Sequence, residues 1–232
     1  MDADVPQSNC QTMSDTGVMP VPGEAEEYRN VRFLKVAGTS VSLWLFPERF
    51  SKSATCNNIA NASRLTALLL GHIWLATEGN LPEDGPLDNT WFSSILYATR
   101  VGITLANDST GGARTLTLNE TASYLCRSRL ININIHQEIV VRMSDPNPAS
   151  RLTYHLEQMV HRKAALFTYG GKSVVFISSS SSGLMMVDSH KNGNVGAVVI
   201  RGNCGELPQF LKSLETVLGL NETCYGNFVL FT

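Results

Sequence analysis

An apolar run, Leu184-Met185-Met186-Val187, ends in Asp188-Ser189-His190. Side chains two apart on a β-strand point to the same face, so a carboxylate and an imidazole would stand side by side at this strand end. Such a pair has a definite chemistry. The carboxylate fixes the ring in one tautomer and stabilises its protonated form, and the ring can then take a proton from a thiol or hydroxyl nucleophile. The same residues also suit an ordinary solvent-facing strand end, so the rest of the chain has to decide between the two readings.

A nucleophile served by this base gains from standing at the start of a buried helix. There the oriented N–H groups and the partial positive charge lower a thiol's pKa. From Asn61 onward, Leu65, Leu68, Leu69, Ile73 and Ala76 recur at helical spacing with His72 among them, and Asn61 or Ser63 is a suitable cap. Ser63 is the hydroxyl at this helix start. Cys56 lies seven residues earlier, in a polar loop over 51–60 that also carries Lys52 and offers Asn57 or Asn58 as oxyanion donors. Their ordinary readings are a loop thiol for Cys56 and a capping serine for Ser63.

These residues need a scaffold, and the pattern supplies one. Residues 1–27 are polar, rich in Pro, Gly, Ser and acids and without periodicity, which predicts a flexible tail or linker before one domain over 28–232. Strands are predicted at 31–36 and 41–46, then helices at 61–76 and 88–105, with Asp88 or Asn89 as cap of the second. A loop at 107–112, a short helix ending near 125, a strand over 130–141 and a helix over 150–161 follow. The last third alternates as strands at 164–168, 173–177, 184–188, 196–201 and 227–231, with a helix at 207–218 and a hairpin turn at Gly170-Gly171. Helices first and an antiparallel meander after is an α+β layout.

Bulk properties narrow the function classes. The chain has 232 residues, 43% hydrophobic and 16% charged, with a net charge of −2, as in globular proteins. There is no Lys/Arg stripe for a nucleic acid. The apolar stretch 65–76 is too short and mixed to span a membrane. The N-terminal residues have neither a basic nor an apolar signal region. Five widely spaced cysteines with no Cys-x-x-Cys pair imply neither a zinc site nor a disulfide framework. Reduced thiols in the cytoplasm or nucleus follow, and no cofactor is called for.

Order, spacing and flanking apolar patterns together resemble the ubiquitin-specific peptidase domain of herpesvirus large tegument proteins and its non-viral relatives, over roughly 31–232. In that family a Gln precedes a catalytic Cys, and an Asp-x-His motif follows far downstream. Non-viral members read Ser-Gln-Ser, a glycine-rich loop, then Ser-Asn-Ala-Cys leading into an apolar helix. The matching stretches here are Ser51-Lys52-Ser53, Ala60-Asn61-Ala62-Ser63 before Leu65-Thr66-Ala67-Leu68-Leu69, and Val187-Asp188-Ser189-His190.

The resemblance implies a papain-like α+β fold and a thiol peptidase acting on ubiquitin C-terminal isopeptide bonds. It also implies ubiquitin or a ubiquitin-like protein as partner, and a domain that is part of a larger chain. It assigns Asp188 and His190 as orienting acid and base, with Ser63 at the nucleophile position and Lys52 at the oxyanion Gln position. Glu83, Asp84 or Asp88 would face the arginines of a ubiquitin tail.

The chain departs from the family at both Ser63 and Lys52. A serine hydroxyl does not ionise where a thiol does, whereas Lys52 can still neutralise an oxyanion. Three readings follow: a degenerate or weak ubiquitin peptidase; an active cysteine peptidase using Cys56, or a cysteine restored at position 63; and a non-catalytic protein-interaction domain of a larger signalling protein. Elsewhere His72, His155 and His161 read as core, edge or helix-end residues, and Trp44, Trp74 and Trp91 as core.

Overall fold

The computed structural model describes residues 30–50, 59–77, 80–110, 114–159, 161–181 and 183–232. The predicted tail at 1–27 and the loop carrying Lys52 and Cys56 lie outside the described residues.

Among the described residues eight strands form one antiparallel sheet: β1 (Arg32–Lys35), β2 (Ser42–Leu45), β3 (Ile139–Arg142), β4 (Lys163–Tyr169), β5 (Lys172–Ser178), β6 (Gly183–Asp188), β7 (Val198–Asn203) and β8 (Tyr225–Phe231). Their order across the sheet is β1-β2-β7-β6-β5-β4-β8-β3. The centre is the predicted meander. Gly170 and Gly171 have φ of 50° and 78°, both left-handed, as a two-residue hairpin turn of type I′ requires.

Alternation sorts the strands into two cores. Val175, Ile177, Met185, Val187 and Val199 face one side, where α1 (Ile59–Ala76), α2 (Asn89–Thr110) and α3 (Leu118–Arg127) pack. Val174, Phe176, Leu184, Met186 and Ile200 face the other, covered by α4 (Leu152–Glu157) and α5 (Leu207–Leu218). The layout is α+β, with helices on both faces of the sheet. Among the described residues no helix is long and apolar enough to cross a membrane.

Several boundaries differ from the sequence reading. Helix α1 begins at Ile59, two residues before Asn61. Ser63 therefore does not cap it. Helix α2 continues to Thr110, into the stretch read as a loop, and Asp88 caps it by accepting a hydrogen bond from Trp91 N at 2.9 Å. The single strand predicted over 130–141 is interrupted. Residue Ile139 pairs with Phe228 in β8, but the bridge Ile135–Phe231 is one residue out of that register. A bulge around Gln137 and Glu138 absorbs the difference. Helix α4 stops at Glu157 instead of 161; His161 takes a φ of 66° that no α-helix accepts.

The N-terminal hairpin is not a separate unit. Strand β2 pairs with β7, Leu45 opposite Val198 and Ser42 opposite Arg201. The pairing continues beyond the strands, with Phe46 N donating to Ala197 O at 3.0 Å and Gly196 N to Phe46 O at 2.9 Å. It therefore braces the far side of the loop that follows β6.

Candidate functional site

Asp188 is the last residue of β6 and His190 follows two residues on; both are buried, at 0% and 3% exposure. The His190 Nδ1 lies 2.5 Å from Asp188 Oδ1, and the His190 backbone N–H donates to the same oxygen at 2.9 Å. Because an ionised carboxylate can only accept, Nδ1 carries the proton and Nε2 is the basic nitrogen. Burial pushes the Asp188 carboxyl up, but the hydrogen bonds and charge of His190, with a hydrogen bond from Asn192, outweigh it and hold the group below the usual carboxylate value. The Tyr169 hydroxyl, at the end of β4, is buried and raised in pKa, first by that burial and then by the Asp188 and Cys224 charges.

The loop after His190 is tightly made. Asn192 and Val195 exchange backbone hydrogen bonds at 2.9 and 3.1 Å around Gly193-Asn194, with Gly193 at φ 60°. The Asn192 side chain reaches back, Nδ2 donating to Asp188 Oδ2 at 2.9 Å and to His190 O at 3.1 Å. Lys191 forms an ion pair with Glu48. Glu48 lies in a short turn whose neighbour Phe46 stacks on Phe92 of α2, rings 5.9 Å apart and 1° from parallel. The His190 loop is thus fastened to the segment that leads into 51–58.

Helix α1 is fastened to the sheet through its C-terminal half. Adding a Cβ to Gly71 would place it 2.2 Å from the Phe231 ring and 3.2 Å from the Ala164 side chain, and Trp74 Nε1 donates to Ser178 O at 3.1 Å. Its C-terminal half therefore lies over the start of β4 and the end of β5. Ser63 is eleven residues before Trp74, about 16 Å back along the helix. The helix packs on the face of the sheet that carries Val175, Val187 and Val199, whereas Asp188 continues the alternation of Leu184 and Met186, which face the other side.

Ser63 itself is fully buried, and its Oγ donates to Ala60 O at 3.0 Å. Among the described residues no hydrogen bond joins Ser63 to His190. The neighbouring Asn61 fastens the helix start from the side, donating through Nδ2 to Arg114 O at 2.9 Å and accepting from Leu116 N at 2.7 Å.

Glu83, Asp84 and Asp88 are placed elsewhere. They rim a cavity of about 610 Å³ at the C-terminal end of α1, beside Trp74 and Trp91. Asp84 already accepts from Lys35 at 2.7 Å and from Ser42 at 2.5 Å, with Arg201 at 3.4 Å; the Lys35 and Ser42 bonds hold its carboxyl below the usual value. Trp44 and Trp74 are core residues as read, while Trp91 is partly exposed on this cavity. His72 is half-buried, which lowers its pKa; His155 stacks on Phe228 and lies 2.9 Å from Ala149 O. Among the described residues no cluster of three His, Cys, Asp or Glu side chains is placed to hold a metal.

Asn192 is the residue that the sequence reasoning missed. Its signal was present: Asp188, His190 and Asn192 continue one alternation, and a glycine follows where the chain must turn.

No family model matches the chain, and no curated protein does. Among solved structures, it is similar to the ubiquitin-specific protease of a murine cytomegalovirus tegument protein, in complex with a ubiquitin-based suicide substrate. The TM-score is 0.50 and the identity 14%, over 80% of this chain and 85% of that one. A second match, the Pseudomonas avirulence protein AvrPphB, has a TM-score of 0.39 and 13% identity over 77% of this chain and 96% of that one. The fold is the papain-like cysteine-protease fold in its α+β form.

Proposed function

We propose that this chain is a ubiquitin-peptidase-like domain of the viral-tegument type whose catalysis is degenerate, with the base pair Asp188–His190 retained and Ser63 at the nucleophile position. The observation that carries the reading is the contrast at the site. The imidazole is buried and held by a carboxylate at 2.5 Å, a base–orienter geometry, whereas the Ser63 hydroxyl is committed to Ala60 O inside α1. A hydroxyl in that position has neither a pKa near neutrality nor a free proton to give. Lys52 in place of the oxyanion Gln is the second departure. Ubiquitin, or a protein built like it, is the proposed partner.

One observation favours a second reading. Helix α1 is already formed at Ile59, so Ser63 lies beyond its first turn. The dipole's influence fades within the first turn. In this reading Cys56 is the thiol that His190 activates.

A ubiquitin probe with a thiol-reactive C-terminal group separates the two. The degenerate reading expects no labelling of the chain as it stands, and labelling of the double variant Ser63→Cys, Lys52→Gln. Labelling of the unaltered chain that vanishes in Cys56→Ala would replace it with the active reading. If neither form labels and plain ubiquitin shows no affinity in a titration, the domain is a protein-interaction module without ubiquitin specificity.

A further inference from the structure

We infer that Asn192 is a positioning residue, whose carboxamide locks the Asp188 carboxylate to the main chain of His190 and thereby sets the tautomer and aim of the imidazole. The inference rests on Asp188–His190 being the base pair of a peptidase-type site.

The hydrogen-bond inventory is the argument. A carboxamide has two N–H hydrogens. One goes to Asp188 Oδ2 at 2.9 Å and the other to His190 O at 3.1 Å. The other carboxylate oxygen, Oδ1, takes the ring Nδ1 and the backbone N–H of His190. With both oxygens held, the carboxylate plane cannot swing about its Cβ–Cγ bond, and the ring that bonds to it keeps one orientation. Among the described residues Asn192 is the only donor to Oδ2. Asp188 is fully buried, so water cannot take over without the loop opening.

Asn192 is itself rigid. Its backbone N–H and C=O are both engaged with Val195, around a turn with Gly193 at φ 60°. The charged and titratable groups around it do not compete for the role. Lys191 turns away to Glu48, and the Tyr169 hydroxyl from β4 makes no hydrogen bond to Asp188. Among the described residues Asp188 is the one carboxylate bonded to the ring, and a neutral donor adds no second charge. An acid at position 192 would add repulsion instead of a hydrogen bond.

A purely structural role, holding the turn alone, predicts different results. Nitrogen-15 NMR of the full chain reads the His190 tautomer and the downfield Nδ1 proton. The expected result for Asn192→Ala is loss of that proton signal and a mixed tautomer. Gly193→Ala, which strains the turn but keeps the carboxamide, should lower the thermal midpoint and keep the signature. An Asn192→Ala protein with the unaltered signature overturns the inference. Should that variant not fold, Asn192→Ser, too short to bridge both acceptors, gives the same reading.

In the Ser63→Cys, Lys52→Gln background, adding Asn192→Ala should slow ubiquitin-probe labelling about tenfold or more, the size of effect seen for partners that orient metal-bound histidines. An unchanged rate in a background that labels counts against Asn192. A background that never labels counts against the peptidase reading, while the NMR comparison still decides Asn192.

Discussion

The two ends of the candidate site are held together by different forces. The base end is a buried polar unit: one carboxylate, an imidazole, two backbone groups and a carboxamide. The nucleophile end is a packing problem. Ala62 and Ser63 are fully buried, and α2 comes so close at Gly102 that an added Cβ would lie 2.3 Å from Thr66 Oγ1 and 3.0 Å from Ala62 O. A buried polar unit is expensive to dismantle one member at a time, because each loss strands a buried partner. A packed helix start tolerates exchange of a thiol for a hydroxyl that finds a carbonyl nearby. In the proposed reading, this contrast is why the base pair is kept while the nucleophile position differs.

The comparison can be broken in four ways. The largest effect is expected from Asp188→Ala, which leaves a buried imidazole and carboxamide facing an empty site. A loss of about 3–5 kcal/mol is expected by chemical denaturation, and a loss below 1 kcal/mol would mean that the base end is no more tightly built than the helix end. Next is Gly102→Ala, which must push α2 off Ala62 and Thr66; about 1–3 kcal/mol should be lost, with the His190 NMR signature intact. A change in that signature would show the two ends to be mechanically coupled.

Acid is the third probe. The Asp188 carboxyl is held below its ordinary value of 3.8 in the folded protein, so its charge stabilises the fold fully above that value. The contribution disappears as the pH falls through the folded value. Measured against Asp188→Asn, the stability difference should shrink as the pH falls below about 4. A difference that stayed constant through that acid range would count against the depressed carboxyl. The smallest effect is expected from Ser63→Ala: one hydrogen bond to a helix carbonyl is worth about 1 kcal/mol or less. A larger loss in a melt would make Ser63 part of a polar unit of its own.

The central strands were legible because period-two alternation is a local property: Leu184, Met186 and Asp188 face one way and Met185 and Val187 the other. Helix 207–218 was legible for the same reason at helical period. What escaped was set by distant partners. The bulge near Gln137 exists because Ile135 and Ile139 meet different residues of β8, and the docking of β2 on β7 joins opposite ends of the chain. Asp188 and His190 announced themselves by spacing. The early start of α1 did not, because Asn57, Asn58 and Asn61 are poor interior helix formers; Asn61 is nevertheless accommodated by its bonds to Arg114 and Leu116.

The turn at Gly170-Gly171 carries one more consequence, for the order of assembly. Strands β4 to β7 each pair with their neighbour in sequence, so their contacts close short loops at small entropic cost. Contacts that span most of the chain, such as β2 on β7, form against a larger search. The meander that bears Asp188 and His190 can thus take shape before the helix bearing Ser63 is fastened to it. A change at the helix that carries Ser63 therefore leaves the strand pairings of the meander in place.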